Sequence, residues 1–209
     1  MIILSKLEDL IKSHCLEGIL YRSMSELFTF KNGYTPSKAN PDFWENGTIP
    51  WFRMEDLRDN GKILSDSIQH ITPQAVKGKL FPKNTVILAT SATVGEHALV
   101  TTEYLTNQRF TCLIPKSDVF NPYYLNYYAD TIDAWCKEHT VMSSFPAVDM
   151  VALSKLTIPV PPLEIQEEIV RILDSFAELT AELTAELTAR KKQYEYYRDK
   201  IFSFGGVKS

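Results

Sequence analysis

No apolar run in this chain exceeds a few residues, far short of the ~20 that a membrane-spanning helix needs. The opening Met1-Ile-Ile-Leu-Ser also lacks the charged start of a secretory signal. A cytoplasmic location is therefore expected. Cysteine is scarce: Cys15, Cys112 and Cys136 are odd in number and widely separated, which argues against a disulfide framework or a zinc site and leaves three reduced structural thiols. There is no Gly-x-x-x-x-Gly-Lys-Ser/Thr phosphate loop and no glycine-rich turn for a nucleotide cofactor. His14, His70, His97 and His139 are scattered without metal-ligand spacing, and the acid pairs Glu55-Asp56 and Glu167-Glu168 lack the surroundings of a nuclease or glycosidase. The chain reads as non-enzymatic, with no catalytic or metal residue and no cofactor of its own. Basic excess is missing too. The formal net charge of −4 divides as 15 Lys/Arg against 17 Asp/Glu before Pro161 and 7 against 9 from there on, so net charge argues mildly against nucleic acid unless a local patch or a basic partner compensates.

What remains is an ordinary globular composition, 44% apolar and 23% charged over 209 residues, enough for one good core. Residues 1–20, with Leu4, Leu7, Leu10 and Ile11 at helical spacing, suggest a short amphipathic helix or an irregular lead-in. From Tyr21 to Pro161 short segments are broken by Gly, Pro and Asn. Thr48–Arg53, Lys83–Thr90 and Phe110–Pro115 predict strands. Asn121-Pro122 supplies an N-cap and a first-turn proline for a helix over Tyr123 to about His139, and Pro73–Val76 opens a shorter one. The Phe120-Asn-Pro-Tyr-Tyr stretch invites comparison with the Asn-Pro-Pro-Tyr loop of adenine methyltransferases, but it lacks the second proline, and helix capping accounts for it.

Ile158-Pro-Val-Pro-Pro162 is an extended boundary. Beyond it neither glycine nor proline occurs until Gly205, and Ile165, Ile169, Ile172, Phe176, Leu179 and Leu183 recur in alternating steps of four and three. Leu187, Tyr194 and Tyr197 extend the same helix. Within it Ala-Glu-Leu-Thr is repeated three times from Ala177 to Thr188. Each repeat adds about 6 Å and turns the helix by about 40° relative to the one before, as a ruler would. The expected class is α+β: a mixed α/β globule over 21–161, a long coiled-coil helix over 162–204 for dimerisation and spacing, and a tail over 205–209. The globule has no segment long enough to cover the stripe, so a second copy or another protein is expected to do so.

Two kinds of segment could contact nucleic acid. Ser37 and Lys38 after the Gly33-Tyr-Thr-Pro turn, Arg53 at a strand end, and Lys77 and Lys79 could supply phosphate contacts and one or two base-edge donors. Small polar loops hold Ser91 and Thr93, then Asn107 and Arg109, then His139, Ser143 and Ser144. Phe43, Trp44 and Trp51 are expected in the core rather than as stacking platforms.

Taken together, Gly33-Tyr-Thr-Pro-Ser-Lys38 and Phe43-Trp-Glu-Asn-Gly-Thr-Ile-Pro-Trp51 with Asp56-Leu57 resemble the opening of a target-recognition domain in specificity subunits of type I restriction-modification systems. Leu156-Thr-Ile-Pro-Val-Pro-Pro-Leu-Glu-Ile-Gln166 with Ile169–Asp174 is similar to the exit of such a domain into its conserved helix, and Arg190–Phe204 to the end of that helix. The resemblance spans about residues 20 to 204. It implies a DNA-reading subunit that docks methyltransferase subunits carrying S-adenosylmethionine and a restriction subunit using ATP and Mg. Family members hold two recognition domains and two antiparallel helical regions; this chain has one of each. That departure implies either an antiparallel homodimer or a pairing with another half-length subunit, reading two half-sites. A scaffold or adaptor that binds no DNA, and an inactive truncated specificity subunit, are the alternatives.

Overall fold

A computed structural model describes residues 2–142 and 144–203, with the backbone alone at 2–4. Ser143 and the whole of 204–209 lie outside the described residues. In chain order the strands are β1 (Tyr21–Ser23), β2 (Phe28–Asn32), β3 (Ile49–Phe52), β4 (Ile63–Leu64), β5 (His70–Ile71), β6 (Thr85–Ala89), β7 (His97–Val100), β8 (Leu105–Thr106), β9 (Phe110–Pro115), β10 (Thr140–Met142), β11 (Pro146–Val148) and β12 (Thr157–Pro159). The helices are α1 (Ile2–His14), α2 (Met24–Leu27), α3 (Met54–Asn60), α4 (Pro122–Glu138), α5 (Met150–Lys155) and α6 (Leu163–Phe202). The fold is mixed α/β with a long C-terminal helix, as the sequence predicts. Two compact units divide it, 1–167 and 168–209.

The first unit is organised by a five-stranded sheet in the order β2-β9-β6-β7-β4. All five residues of β6 are buried, so this strand is covered on both faces. Side chains alternate along it: Val86 and Leu88 join one cluster with Leu99 and Leu113, while Ile87 and Ala89 join another with Ala98 and Cys112. α4 covers the first face through Leu125, Ala129, Ile132 and Cys136, packed with Met24, Leu153 and Ile158. The second face is covered by Trp51 and Phe52 of β3, Met54 and Leu57 of α3, and Tyr104. A three-stranded sheet, β5-β3-β8, lies in this layer. Trp51 is 2% exposed, Trp44 packs edge-on against it with ring centroids 5.0 Å apart, and Phe43 joins the same cluster, so all three serve the core.

Local chemistry explains the boundaries. Asn121 accepts a hydrogen bond from the Tyr123 N–H at 2.9 Å and starts α4, with Pro122 in the first turn. Ser23 and Glu26 form a reciprocal capping box on α2, and these hydrogen bonds hold the Glu26 carboxyl below its usual range. Pro73 opens only a 3-10 turn, Pro73–Ala75, because Val76 returns to extended backbone and Gly78 takes φ +91. Burial pushes the Cys112 and Cys136 thiols up to about 12.

The first turn of α6 is a folded part of this unit. Ile165 and Gln166 are fully buried. Gln166 Oε1 accepts from the Asn121 N–H at 2.8 Å, and its Nε2 donates to the carbonyls of Val119 and Pro161, both at 2.8 Å. Its amide is thus fully used on backbone that no strand or helix ladder could satisfy.

In the second unit α6 runs on without a break, 40 residues in all and about 60 Å long. Ile169 is half-buried and Ile172 buried, but from there the stripe is open: Phe176 is 52% exposed, Leu179 49%, Leu183 57%, Leu187 55%, Tyr194 68% and Tyr197 51%. The repeat threonines bond back to the preceding turn. Thr180 Oγ1 donates to the Phe176 carbonyl, Thr184 to that of Thr180, and Thr188 to that of Thr184, at 2.7 to 2.8 Å. With their hydroxyls folded in, these residues turn methyl groups outward beside Ala177, Ala181 and Ala185.

Candidate nucleic-acid interface

Four segments far apart in sequence meet through backbone hydrogen bonds at one edge of the first unit. The 33–38 loop is tied down first: the Gly33 N–H donates to the Phe110 carbonyl at 3.3 Å and the Tyr34 N–H to the Thr106 carbonyl at 2.8 Å. A Cβ on Gly33 would sit 2.1 Å from the Thr106 carbonyl oxygen, so no other residue fits there. Trp51 Nε1 donates to the Tyr34 carbonyl and Trp44 Nε1 to the Ser37 carbonyl, both at 2.9 Å, so the core indoles fix the loop that presents Ser37 and Lys38. Tyr34 Oη donates to the Ala75 carbonyl and accepts from the Lys77 N–H, which brings Lys77 alongside, its ammonium 5.6 Å from the Tyr34 ring centre.

The 107–109 loop comes next. The Asn107 N–H donates to the Phe52 carbonyl, setting it beside Arg53. Arg53 occupies the N-cap position of α3, its backbone N–H bonded to Asp56 at 2.6 Å and its guanidinium 5.7 Å from the Trp51 ring centre. Thr35 Oγ1 donates to Gln108 Oε1 at 2.7 Å, and the Arg109 N–H to Asn107 Oδ1 at 3.0 Å. The Arg109 carbonyl accepts from the Thr90 N–H at 3.0 Å, which joins the 90–94 loop. There Ala92 adopts φ +65, Ser91 bridges to Ala147, and the Ala92 N–H donates to the Pro146 carbonyl at 2.9 Å. This last contact joins the β10–β11 hairpin that carries Ser144.

Ser37, Lys38, Arg53, Lys77, Ser91, Thr93, Asn107, Arg109 and Ser144 therefore belong to one run of linked loops. Lys79 is exposed but has no polar contact to these loops among the described residues. His139 closes α4, stacked on Trp135 with ring centroids 3.9 Å apart. Its carbonyl accepts from the Asp149 N–H, so it sits at the base of the hairpin. Gln108 lies in the polar 107–109 loop and Thr35 in the Gly33-Tyr-Thr-Pro turn that the sequence marks, but sequence reasoning missed their hydrogen bond across 73 positions and the exposed apolar side chains of the hairpin, Val141, Met142 and Phe145.

Sequence spacing also gave no hint of the cluster made by His97, Asp130 and Asp133, which lie within 4.8 Å of one another. His97 Nδ1 and Asp133 Oδ2 share a hydrogen bond of 2.5 Å, and the Lys62 ammonium pairs with Asp130. Arg58, Lys62 and Lys137 line the same cavity of about 390 Å³. The His97–Asp133 bond ties β7 to α4, while His97 Nε2 and Asp133 Oδ1 are buried without a hydrogen-bond partner among the described residues.

A protein family described as the type I restriction modification DNA specificity domain matches residues 17–190. The chain belongs to this family. The EcoprrI specificity subunit of Escherichia coli is 53% identical over 96% of this chain and 53% of its own length. The EcoR124I/EcoR124II specificity subunit, also of Escherichia coli, is 33% identical over 88% of this chain and 48% of its own. The chain thus spans about half the length of these curated relatives. Among solved structures, the HsdS subunit of Thermoanaerobacter tengcongensis shares the fold with a TM-score of 0.63, at 20% identity, over 87% of this chain and 45% of that one. A chain from structural work on complex assembly and conformational transition of the type I R-M system gives a TM-score of 0.70, at 18% identity, over 97% of this chain and 53% of that one. No helix among the described residues is long and apolar enough to cross a membrane.

Proposed function

We propose that this chain is the DNA sequence-recognition subunit of a type I restriction-modification complex, acting in the cytoplasm without catalysis of its own. It directs an adenine methyltransferase, which binds S-adenosylmethionine, and a restriction subunit, which uses ATP and Mg, to a split target in double-stranded DNA. The observation that carries this reading is the set of hydrogen-bonded loops that bears Lys38 and Arg109, with Lys77 tied to Tyr34 and Arg53, also paired with Glu55 at 3.9 Å, adjoining them although the chain is acidic overall. Phosphate contacts need such a local patch rather than a basic protein.

The target is split because two chains act together, held by their α6 helices. The exposed Phe176–Leu187 stripe needs a cover of equal length. Charge favours a second copy running the other way. Glu164 to Glu186 carries seven acids against one base, and Arg190 to Lys200 carries five bases against two acids. Antiparallel pairing can set the basic Arg190–Lys200 end of each helix against acids of the other, whereas in-register parallel pairing sets like against like throughout. Two identical subunits related by a two-fold axis would read inverted half-sites. Pairing with a different half-length subunit would give unlike ones.

Co-expression with the methyltransferase followed by genome-wide mapping of N6-methyladenine tests the proposal. The expected result is methylation confined to one bipartite motif, with inverted-repeat halves for a homodimer. Methylation that does not depend on the chain, or that follows no motif, would refute it.

A further inference from the structure

Buried polar atoms are ordinarily satisfied, so two orphans lining one cavity point to an occupant. His97 Nε2 and Asp133 Oδ1 are such a pair: their side chains are 0% and 9% exposed, and both residues line the cavity of about 390 Å³ beside α4 and β7. The cavity is built by close approach. Gly95 takes φ +80, and a Cβ there would stand 2.4 Å from Lys137 Cε and 2.8 Å from the Asp133 carbonyl oxygen, so α4 can lie this near the turn before β7 only because residue 95 has no side chain. His97 is set up as a ligand. An ionised Asp133 can only accept, so it takes the Nδ1 proton at 2.5 Å and leaves the Nε2 lone pair free, the state of a carboxylate-backed histidine in metal sites.

We propose that His97, Asp130 and Asp133 form a binding site for a divalent transition-metal ion of the zinc class, a function separate from DNA recognition. The three residues each present a ligand atom, and these atoms lie within 4.8 Å of one another. Imidazole beside carboxylates suits zinc, nickel and their neighbours, whereas magnesium and calcium prefer oxygen alone. An anion would instead meet Glu96, Asp130 and Asp133 together. The charge is balanced by exchange. Without the ion the Lys62 ammonium pairs with Asp130, but the two side chains are 51% and 63% exposed, so Lys62 can turn out to water and leave the two aspartates to neutralise a dication. Lys62 is therefore a built-in competitor for the site. Bound there, the ion braces β7 against α4 directly behind the 90–94 loop.

Calorimetric titration of the purified, chelator-treated full chain with Zn²⁺ and with Co²⁺, whose visible absorption reports its ligands, tests the site. One equivalent of either ion is expected to bind, and excess Mg²⁺ does not displace it. Asp130→Asn weakens binding about tenfold or more, and His97→Gln abolishes it. Lys62→Met removes the competing ammonium and tightens binding about threefold or more, which uptake by the exposed His14 or His139 would not show. Lys62 and Asp130 lie outside the core, so these two variants decide the matter even where His97→Gln does not fold. No binding by the parent chain, equal affinity in Asp130→Asn, no gain in Lys62→Met, or displacement by Mg²⁺ would each overturn the proposal, and the cavity would then hold water alone.

Discussion

Deleting one Ala-Glu-Leu-Thr unit, Ala177 to Thr180, shortens α6 by four residues. At about 1.5 Å and 100° per residue this removes about 6 Å and turns the two ends of the helix by about 40° relative to each other. B-form DNA advances about 3.4 Å and turns about 35° per base pair. The translation is thus less than two steps and the rotation close to one, so a spacer one base pair shorter restores the rotational phase to within about 5°. The helix itself should tolerate the change. Leu179 is 49% exposed, no core residue is lost, and Thr184 Oγ1 would meet the Phe176 carbonyl in place of the Thr180 carbonyl. The assay is methylome sequencing of cells expressing each form with the methyltransferase. Both halves of the motif should be retained and the gap shortened by one base pair, or at most two. An unchanged gap, or a changed half-site sequence, would show that α6 does not set the spacing.

Four further outcomes follow from the same geometry. Gln166→Leu strands the Asn121 N–H and the carbonyls of Val119 and Pro161, so urea denaturation should show a loss of roughly 2–4 kcal/mol, and an unshifted midpoint would count against the anchoring role of Gln166. Leu183→Glu places a charge in the open stripe; light scattering should report a monomer with unaltered helicity, and a persisting dimer would move the contact elsewhere. Lys38→Ala should weaken DNA binding across sequences alike and reduce the slope of log affinity against log salt by about one, and a selective loss at a single base would contradict a phosphate role. Because Cys112 and Cys136 stay protonated in the fold up to about 12, while an unfolded thiol ionises near 9, their contribution to stability is complete below pH 9 and declines as pH rises towards 12. Denaturation midpoints measured from pH 7 to 11 should fall less steeply in Cys112→Ala, and parallel curves would refute this.

Legibility in the sequence followed the range of the interaction. The start of α4 was readable because Asn121 and Pro122 act on their own neighbours, and β9 because six residues carry both the strand pattern and its bounds. β4, β5 and β8 were not readable: two residues each, they exist only because partners far along the chain supply their hydrogen bonds. The loop edge was legible in its parts and illegible as a whole. Lys38, Arg53, Asn107 and Arg109 could be chosen by type, but their meeting depends on bonds such as Tyr34 to Thr106 and Thr90 to Arg109, which no local pattern encodes. The heptad marked an apolar seam from Ile165 onward without revealing that Ile165 and Ile172 are buried in the single chain while Leu179, Leu183 and Leu187 stand open. Periodicity reports a face, not what lies against it.

The repeat threonines of α6 each bond to the carbonyl four residues earlier, Thr180 to that of Phe176 just before the first unit and Thr184 and Thr188 to that of the preceding threonine, so the same bond recurs from unit to unit. At the level of the gene, the gain or loss of four codons keeps the reading frame and leaves no orphaned bond behind. Replication slippage in such a tandem stretch would then produce folded variants at once, and the length of this helix could change between generations without any passage through a damaged intermediate.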